Sequence, residues 1–468
     1  MQPFAPRTLL SLNHDILTLI IELLSIEDAR NLRLCSKHAA LAAAAHALSR
    51  QVLQLQRDTT VRRVADLLGA QAGRLPLIRS LHLTRTFSHR PLDARIAAAL
   101  LRLLPKTPNV RELRMDASPA LLDLAPGLLA AVGRLPRLRR LALPASGTKV
   151  SDWFLRGGGT PLASTLTHLT LGLLSLADGL RGARPPPRLP LLRRLSVEKL
   201  EGHVVHLVAF APALEELALA KADNVVVPDP SEHTRWTTLT AVTGRGDAIW
   251  RVLPVLPSSV RAVVFTHEIG SADAARCIAP VLQALQPAYL GFAEHVAWRL
   301  VCEHITSAPQ RVAYLRLRAP ARGVPWMSAL SAFGKKFTAL RCLDVDMQDA
   351  VPTETAHGSV CLANEVHYAS CKIPTLRFLL AHGTAGCPLA LFEYPYSPMI
   401  RTSCGAPLQL TDATRGIVFS AWETPPKLSA WQNGRRERHL SEAEAQRVRD
   451  AFREGALDAR LESGERIL

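Results

Sequence analysis

The stretch LPRLRRLAL at residues 135–143 decides the fold, because the same phrase returns along the chain. The phrase places a proline or polar residue near its start, followed by an apolar residue, two variable residues, Leu, any residue and a second apolar residue. Clear copies are LPLIRSLHL (75–83), TPNVRELRM (107–115), ASTLTHLTL (163–171), LPLLRRLSV (189–197) and APALEELAL (211–219). Weaker copies occupy 234–242, 257–265, 311–317 and 337–345. The chain is therefore expected to be a repeat array.

The anchor leucine of each copy, or its equivalent, recurs every 22–32 residues, at 81, 113, 141, 169, 195, 217, 239, 263, 290, 315 and 343. This step is typical of leucine-rich repeats. In a Leu-x-Leu strand both leucines point to one face, and stacked repeats enclose them in a continuous core. The spacing predicts an α/β solenoid over 56–345, with a parallel sheet on the concave face and helices on the convex face.

Composition agrees with this architecture. The 468 residues are 48% hydrophobic but only 5% aromatic, because the core positions of the repeat are filled by Leu, Val and Ala. The net charge is +16, and it is spread along the repeats as Arg among Glu and Asp. We interpret this charge as a compositional bias rather than as a nucleic-acid footprint.

The ends of the chain differ from the repeats. In residues 9–55, the spacing of the apolar residues predicts an all-α module of three short helices. They lie at about 13–24, after Ser25, and at about 37–48. Ser25 and Asp28 have the spacing of a capping box. We expect residues 346–468 to form an irregular last repeat, a C-terminal cap and a charged helical tail that starts near Ser441.

The N-terminal module resembles an F-box. The resemblance rests on Leu12-Asn-His-Asp15-Ile16-Leu17, followed by Ile20, Leu23-Leu24, Asp28 and Leu32-Arg-Leu-Cys-Ser-Lys37. Asn13 stands where the family has Pro, and His38 stands where it has Trp. With the repeats behind it, the chain is similar to divergent fungal-type F-box proteins with C-terminal leucine-rich repeats. The alternative is that 9–55 is only a helical cap for the solenoid.

The resemblance implies docking on a Skp-type adaptor and, through it, on a cullin. The residues that match the family's adaptor-binding positions are Leu12, Asp15, Ile16, Leu17, Ile20, Leu24, Leu32, Leu34 and Lys37. Some of the apolar ones must be internal to the module, and the sequence does not separate the two sets. The solenoid would then bind a protein substrate, in the cytoplasm and/or the nucleus.

Outward strand positions flank the buried anchors and form the candidate substrate face. The polar or large residues there are His82, Glu112, Arg114, Arg140, His168, Arg194, Glu216, Tyr314 and Arg316. Both signs of charge are mixed on this face. A protein partner suits it better than nucleic acid, which prefers a single-signed surface interleaved with aromatics.

Other classes of site find no support in the sequence. Cysteines and histidines gather between 342 and 404, but at spacings irregular for zinc, so no metal site is predicted. No nucleophile elbow or phosphate-binding loop is present, and we expect neither an enzyme nor a cofactor. No window has 18 uninterrupted apolar residues, so no membrane span is expected. Two alternatives to a ligase receptor stay open: a repeat scaffold that binds protein without a ligase, and a basic solenoid that binds nucleic acid.

Overall fold

The computed structural model describes the repeats, part of the N-terminal module and short parts of the C-terminal region. The described residues are 14–32, 34, 43, 52–56, 64–66, 68–69, 72–84, 94–116, 122–176, 188–226, 235–267, 269, 271–294, 296, 301, 303–304, 311–318, 334–346, 373, 375, 378–384, 417–423, 438–440, 447 and 450. The chain divides into two compact units, the first of residues 1–218 with 223–238 and the second of 219–222 with 239–468.

Short helices alternate with short strands along the described chain. The helices are α1 (His14–Leu23), α2 (Ile26–Leu32), α3 (Ala94–Leu103), α4 (Gly127–Gly133), α5 (Thr148–Leu155), α6 (Val205–Phe210), α7 (Gly246–Val252) and α8 (Ala272–Leu285). Short 3₁₀ helices cover Ala72–Leu77, Leu104–Lys106, Thr160–Leu162 and Leu253–Val255. The first eight strands are β1 (Val52–Gln56), β2 (Ser80–Thr84), β3 (Glu112–Met115), β4 (Arg140–Leu143), β5 (His168–Leu176), β6 (Arg194–His203), β7 (Glu216–Val226) and β8 (Ala241–Gly244). The others are β9 (Ala262–Phe265), β10 (Tyr289–Phe292), β11 (Tyr314–Arg318), β12 (Cys342–Asp346), β13 (Phe378–Thr384), β14 (Ile417–Glu423) and β15 (Arg438–Leu440).

Strands pair in sequence order within each unit, as the repeat phrase predicts. In the first unit β1 to β6 are parallel, and one register line joins Leu53, Leu81, Leu113, Leu141, Leu169 and Leu195. In the second unit β8 to β13 are parallel, with Val242, Val263, Leu290, Leu315, Leu343 and Leu379 in register. The expected α/β leucine-rich-repeat solenoid is confirmed.

A repeated hydrogen-bond pattern fixes this register. In most of the described repeats, the carbonyl just before a strand accepts two amides, one from the residue before the next strand and one from the first residue of that strand. Arg111 O accepts from Arg139 N and Arg140 N, at 2.8 and 2.9 Å, and Arg139 O accepts in the same way from Thr167 N and His168 N. Each coil is therefore tied to the next before its strand begins.

The core lies between the strands and the returning helices. Both leucines of the Leu-x-Leu pairs 81/83, 141/143 and 217/219 are buried, as predicted. Helix α3 buries Ile96, Leu100 and Leu103 and then tightens into a 3₁₀ turn that contains Pro105. Each enclosed leucine contributes roughly 1.5–3 kcal/mol.

Two elements differ from the sequence predictions. Val52–Gln56, of which all but the last residue belong to the segment predicted as helical, form the strand β1, which pairs with β2. The anchor placed at Leu239 is in fact Val242, which pairs with Val263, because the strand begins only at Ala241 in this repeat. As expected for one more repeat after 345, Leu379 continues the parallel register, after which β14 and β15 pair antiparallel.

Other predicted elements fall largely outside the described residues. The third helix of the module, near 37–48, is described only at Ala43, which is helical. The charged tail helix is described only at Arg447 and Asp450, both helical.

Candidate protein-interaction surfaces

The two described helices of the N-terminal module meet at the predicted cap. Ser25 Oγ accepts a hydrogen bond from Asp28 N at 3.1 Å and lies 2.6 Å from the Asp28 carboxylate, to which it donates. This arrangement satisfies one of the free amides at the start of α2. The Ser25–Asp28 prediction is confirmed, and it fixes where α1 ends and α2 begins.

The apolar residues of the module separate into an internal set and an exposed set. Leu17 (1% exposed) and Ile21 (0%) form a cluster with Ala43. Leu24 and Leu32 are partly buried against this cluster. Leu17, which was assigned to adaptor binding, is therefore a core residue, since its side chain is enclosed by its own module.

The exposed set lies on one face of α1 and just after α2. Ile16 is 47% exposed, Leu19 61% and Leu34 79%, while Ile20 is half-buried. Ile16, Leu19 and Ile20 follow the i, i+3, i+4 spacing that places residues on one helical face. The sequence reasoning missed Leu19, although it lies one turn after Ile16. Leu12 and Lys37 lie outside the described residues, and for Asp15 only the backbone, within α1, is described.

In the first unit, strand register assembles part of the predicted substrate face into one line. Glu112, Arg140, His168 and Arg194 are directly paired neighbours on β3 to β6. Arg194 Nη2 lies 3.0 Å from Glu216 Oε1 on β7. We call these five residues the charged row. His82, Arg114, Ala142, Thr170 and Ser196 form a parallel second line two residues further along each strand.

Ion pairs engage most of the charged side chains on this face. His82 Nε2 lies 3.4 Å from Glu112 Oε1, without the geometry of a hydrogen bond, and Ser80 Oγ lies 3.4 Å from Glu112 Oε2. Arg114 Nε is 2.7 Å from Asp116 Oδ1. Arg140 is exposed, and no carboxylate of the described residues lies within 4.0 Å of its guanidinium. The pairs at such exposed positions contribute at most about 1 kcal/mol each.

His168 occupies the centre of the charged row. Its Nδ1 lies 2.8 Å from Thr167 Oγ1. Burial lowers the pKa of His168 below its ordinary value of 6.5, and the flanking Arg140 and Arg194 lower it further, against a smaller opposing effect of Glu112. The neutral form of the imidazole is therefore favoured at pH 7, and the ring adds little positive charge to the row.

In the second unit, the equivalent strand face differs from the prediction. Tyr314 was expected to face solvent but is only 1% exposed. Its ring stacks on Tyr289 at 4.6 Å, and its hydroxyl donates to Asp344 Oδ2 at 2.5 Å. Gly291 helps to accommodate this pair, because a Cβ there would lie 3.2 Å from the Tyr289 ring. Tyr314 is therefore part of a buried polar cluster and not of an open surface.

Charge is balanced inside this cluster. Asp344 is fully buried, and Arg316 Nε lies 3.9 Å from its Oδ2. Burial and the neighbouring Asp344 raise the pKa of Tyr314 well above its ordinary value, so the phenol stays protonated and donates. Burial is the largest influence on the pKa of Arg316 and lowers it, but Asp344, Tyr289 and Tyr314 together outweigh burial, and the net shift is upward. Arg316 is thus engaged with its own chain.

The described residues offer neither a metal site nor a membrane-spanning helix. No three His, Cys, Asp or Glu side chains there come together to hold a metal ion. Cys361, His367, Cys371, Cys387 and Cys404 lie outside the described residues. No described helix has the length and apolar character needed to cross a bilayer.

Similarity to known proteins is confined to solved structures at low sequence identity. No family model matches the sequence, and no curated protein matches it. Among solved structures, the leucine-rich-repeat-containing protein LegL7 from Legionella pneumophila is 13% identical, with 74% of this chain and 94% of that chain covered and a TM-score of 0.35. The yeast complex of Rad7 and Elc1 is matched at 11% identity, with coverages of 75% and 96% and a TM-score of 0.27.

Proposed function

We propose that this protein is a non-catalytic substrate-recognition subunit of a Skp–cullin–F-box-type ubiquitin ligase, acting in the cytoplasm and/or the nucleus. The observation that carries the proposal is the division of apolar residues in the F-box-like module. Leu17 and Ile21 form its core, while Ile16, Leu19 and Leu34 remain exposed. Ile16 and Leu19 lie one turn apart on α1, and exposed apolar side chains on a small helical module are typical of a docking site for another protein.

The solenoid supplies the second half of the proposed function. Its first unit presents the charged row, where Arg140 is exposed beside the half-buried His168. A receptor needs no chemistry of its own, because holding a substrate beside a loaded conjugating enzyme raises the effective concentration of the reacting groups. Side chains of both signs on this face favour a protein ligand over nucleic acid.

Co-precipitation of the full-length protein with its cognate Skp-type adaptor tests the proposal. Ile16→Asp/Leu19→Asp should abolish adaptor binding while the circular dichroism spectrum is retained, because both side chains are exposed. Leu191→Asp is the matched control, since Leu191 is 42% exposed but lies in the repeats. Leu17→Asp should instead unfold the module, which increased protease cleavage within residues 14–32 would report.

Two outcomes would contradict the ligase assignment. One is that folded wild-type protein fails to bind the adaptor. The other is that Ile16→Asp/Leu19→Asp and Leu191→Asp bind it equally well. If the repeats still captured a protein partner in the first case, the protein would be an interaction scaffold without a ligase.

A nucleic-acid-binding solenoid is the remaining alternative, and only the net charge of +16 favours it. Binding through phosphate contacts would weaken steeply as salt concentration rises. We expect weak binding to RNA and DNA, with a shallow dependence on salt. A steep salt dependence would favour this alternative.

A further inference from the structure

We propose that the centre of the charged row binds one carboxylate, from an Asp or Glu side chain in an extended segment of the protein substrate. Arg140 would hold this carboxylate beside His168, next to the ion pair of Arg194 with Glu216. The inference rests on the proposed receptor function for the statement that the bound segment belongs to a substrate. The binding site itself is argued from the first unit alone.

The ion pairs already present in the row favour a ligand with a single negative charge. Glu112 lies near Ser80 and His82, and Arg194 is already paired with Glu216 at 3.0 Å. Arg140 is the member of the row whose guanidinium has no carboxylate within 4.0 Å among the described residues. With His168 neutral, the two arginines and the two glutamates of the row balance in charge, so Arg140 alone offers an unpaired guanidinium among the described residues, and the glutamates at the two ends of the row repel a longer run of acids.

Strand geometry places His168 between the two arginines. Neighbouring strands lie about 4.8 Å apart, so Arg140 and Arg194, on either side of β5, are about 10 Å apart at their Cα atoms. His168 lies midway between them, in direct register with both. Since Arg194 is paired with Glu216, Arg140 is the group that is left to bind a carboxylate next to His168. A guanidinium binds a carboxylate through two parallel hydrogen bonds, which favours this ligand.

The second line of residues leaves room for the rest of the segment. Three residues of the second line lie next to the cations, each two positions further along its strand. They are Ala142 after Arg140, Thr170 after His168 and Ser196 after Arg194. All three side chains are small and half-buried. A partner backbone can therefore approach the sheet beside the cations, with its acidic side chain directed at His168.

His168 couples this binding to pH. The charged groups that act on it are Arg140 on β4, Arg194 on β6 and Glu112 on β3. A bound carboxylate opposes the two arginines and raises the pKa of His168, so binding takes up protons near that pKa. Because the pKa of free His168 lies below 6.5, affinity should strengthen as the pH falls below that value.

The probe is a set of nine-residue peptides with randomised flanks, in which the central residue is Glu, Gln, Lys or phosphoserine. Full-length protein is incubated with the immobilised set at pH 7.5 and at pH 5.5. We expect central Glu to bind about tenfold more strongly than central Gln, the difference typical of a charge-assisted hydrogen bond. The preference should be larger at pH 5.5.

Two variants with the same loss of charge separate the site from the general basic field. Arg140→Gln should remove the preference for Glu over Gln. Arg139→Gln should keep it, because Arg139 is exposed but lies outside the charged row. His168→Gln should keep part of the preference and lose its pH dependence.

Three results would overturn the proposal: equal binding of central Glu and Gln, selection of phosphoserine without selection of Glu, or an unchanged preference in Arg140→Gln. Adaptor binding measured on the same preparation keeps the two proposals distinct. Selection of Glu without adaptor binding would support the carboxylate site and contradict only the ligase assignment. Adaptor binding without selection of Glu would contradict only the carboxylate site.

Discussion

Replacing Gly172 with alanine tests how closely the repeats of the first unit are stacked. Gly172 is a buried residue of β5, and its amide donates to Ser146 Oγ at 2.9 Å. A Cβ at this position would lie 2.5 Å from Pro144 O and 2.7 Å from both the amide nitrogen and the carbonyl oxygen of Ser146. All three contacts are with backbone atoms, so no side-chain rotation can relieve them.

The expected loss follows from these distances. Ordinary contact begins at 3.4 Å, so the chain after β4 must move by about 0.9 Å to admit the methyl group. Overpacking of this kind costs about 1–3 kcal/mol. The movement also breaks the Gly172–Ser146 hydrogen bond, which adds about 1 kcal/mol. We expect Gly172→Ala to lower the free energy of unfolding by about 2–4 kcal/mol.

Urea unfolding of the full-length protein, followed by circular dichroism, measures this loss. Stability in repeat arrays depends on interfaces between neighbouring coils, so a separate early transition would also be consistent with a weakened β4–β5 interface. Gly127→Ala is the control, because the nearest atom to its added Cβ is Leu101 Cδ2, at an ordinary 3.8 Å. It should leave stability unchanged or raise it by up to about 1 kcal/mol. Equal unfolding curves for the two variants would refute the close approach of these coils.

Two further predictions concern the polar side chains of the strand faces. Tyr314→Phe removes the hydroxyl that donates to the buried Asp344, and it should destabilise the protein by about 1–3 kcal/mol in urea unfolding; a change below 0.5 kcal/mol would contradict the buried hydrogen bond. Because the pKa of His168 is lowered in the folded state, its contribution to stability is complete above its ordinary value of 6.5 and is lost as the pH falls through the folded pKa. His168→Gln should therefore flatten the decline of the unfolding midpoint between about pH 7 and pH 5, and an identical decline in both proteins would count against the shift.

The repeat register was predictable from sequence because it depends on a local pattern. Each Leu-x-Leu pair directs two side chains to one face, and a one-residue slip would expose both of them. This is why Leu141, Leu169 and Leu195 align as predicted. The pattern failed where it was weak: the copy at 234–242 offers Leu239 as an anchor, but the strand begins only at Ala241.

Burial on the outward face was not predictable, because it depends on which groups meet across strands. Arg140 and Arg316 both occupy outward positions, yet only Arg316 lies 3.9 Å from a buried carboxylate. Likewise, the amphipathic pattern of α1 does not distinguish Leu17 from Leu19. Their exposures differ because Leu17 packs with Ile21 and Ala43, a contact with a distant part of the chain.

The same outward position in the repeat therefore has two roles: in one unit it stabilises a buried cluster, and in the other it presents an exposed side chain to a ligand. A buried charge is tolerated only when it is paired, and in the second unit Asp344 meets this condition through Tyr314 and Arg316. These groups contact one another and no longer contact water. An incoming ligand would therefore have to break their mutual contacts before it could form contacts with them. Arg140 is exposed and keeps its water, which a carboxylate can replace without such a loss. For this reason we expect substitutions in the charged row to change ligand binding more than stability, and substitutions at Tyr314 and Asp344 to change stability more than binding.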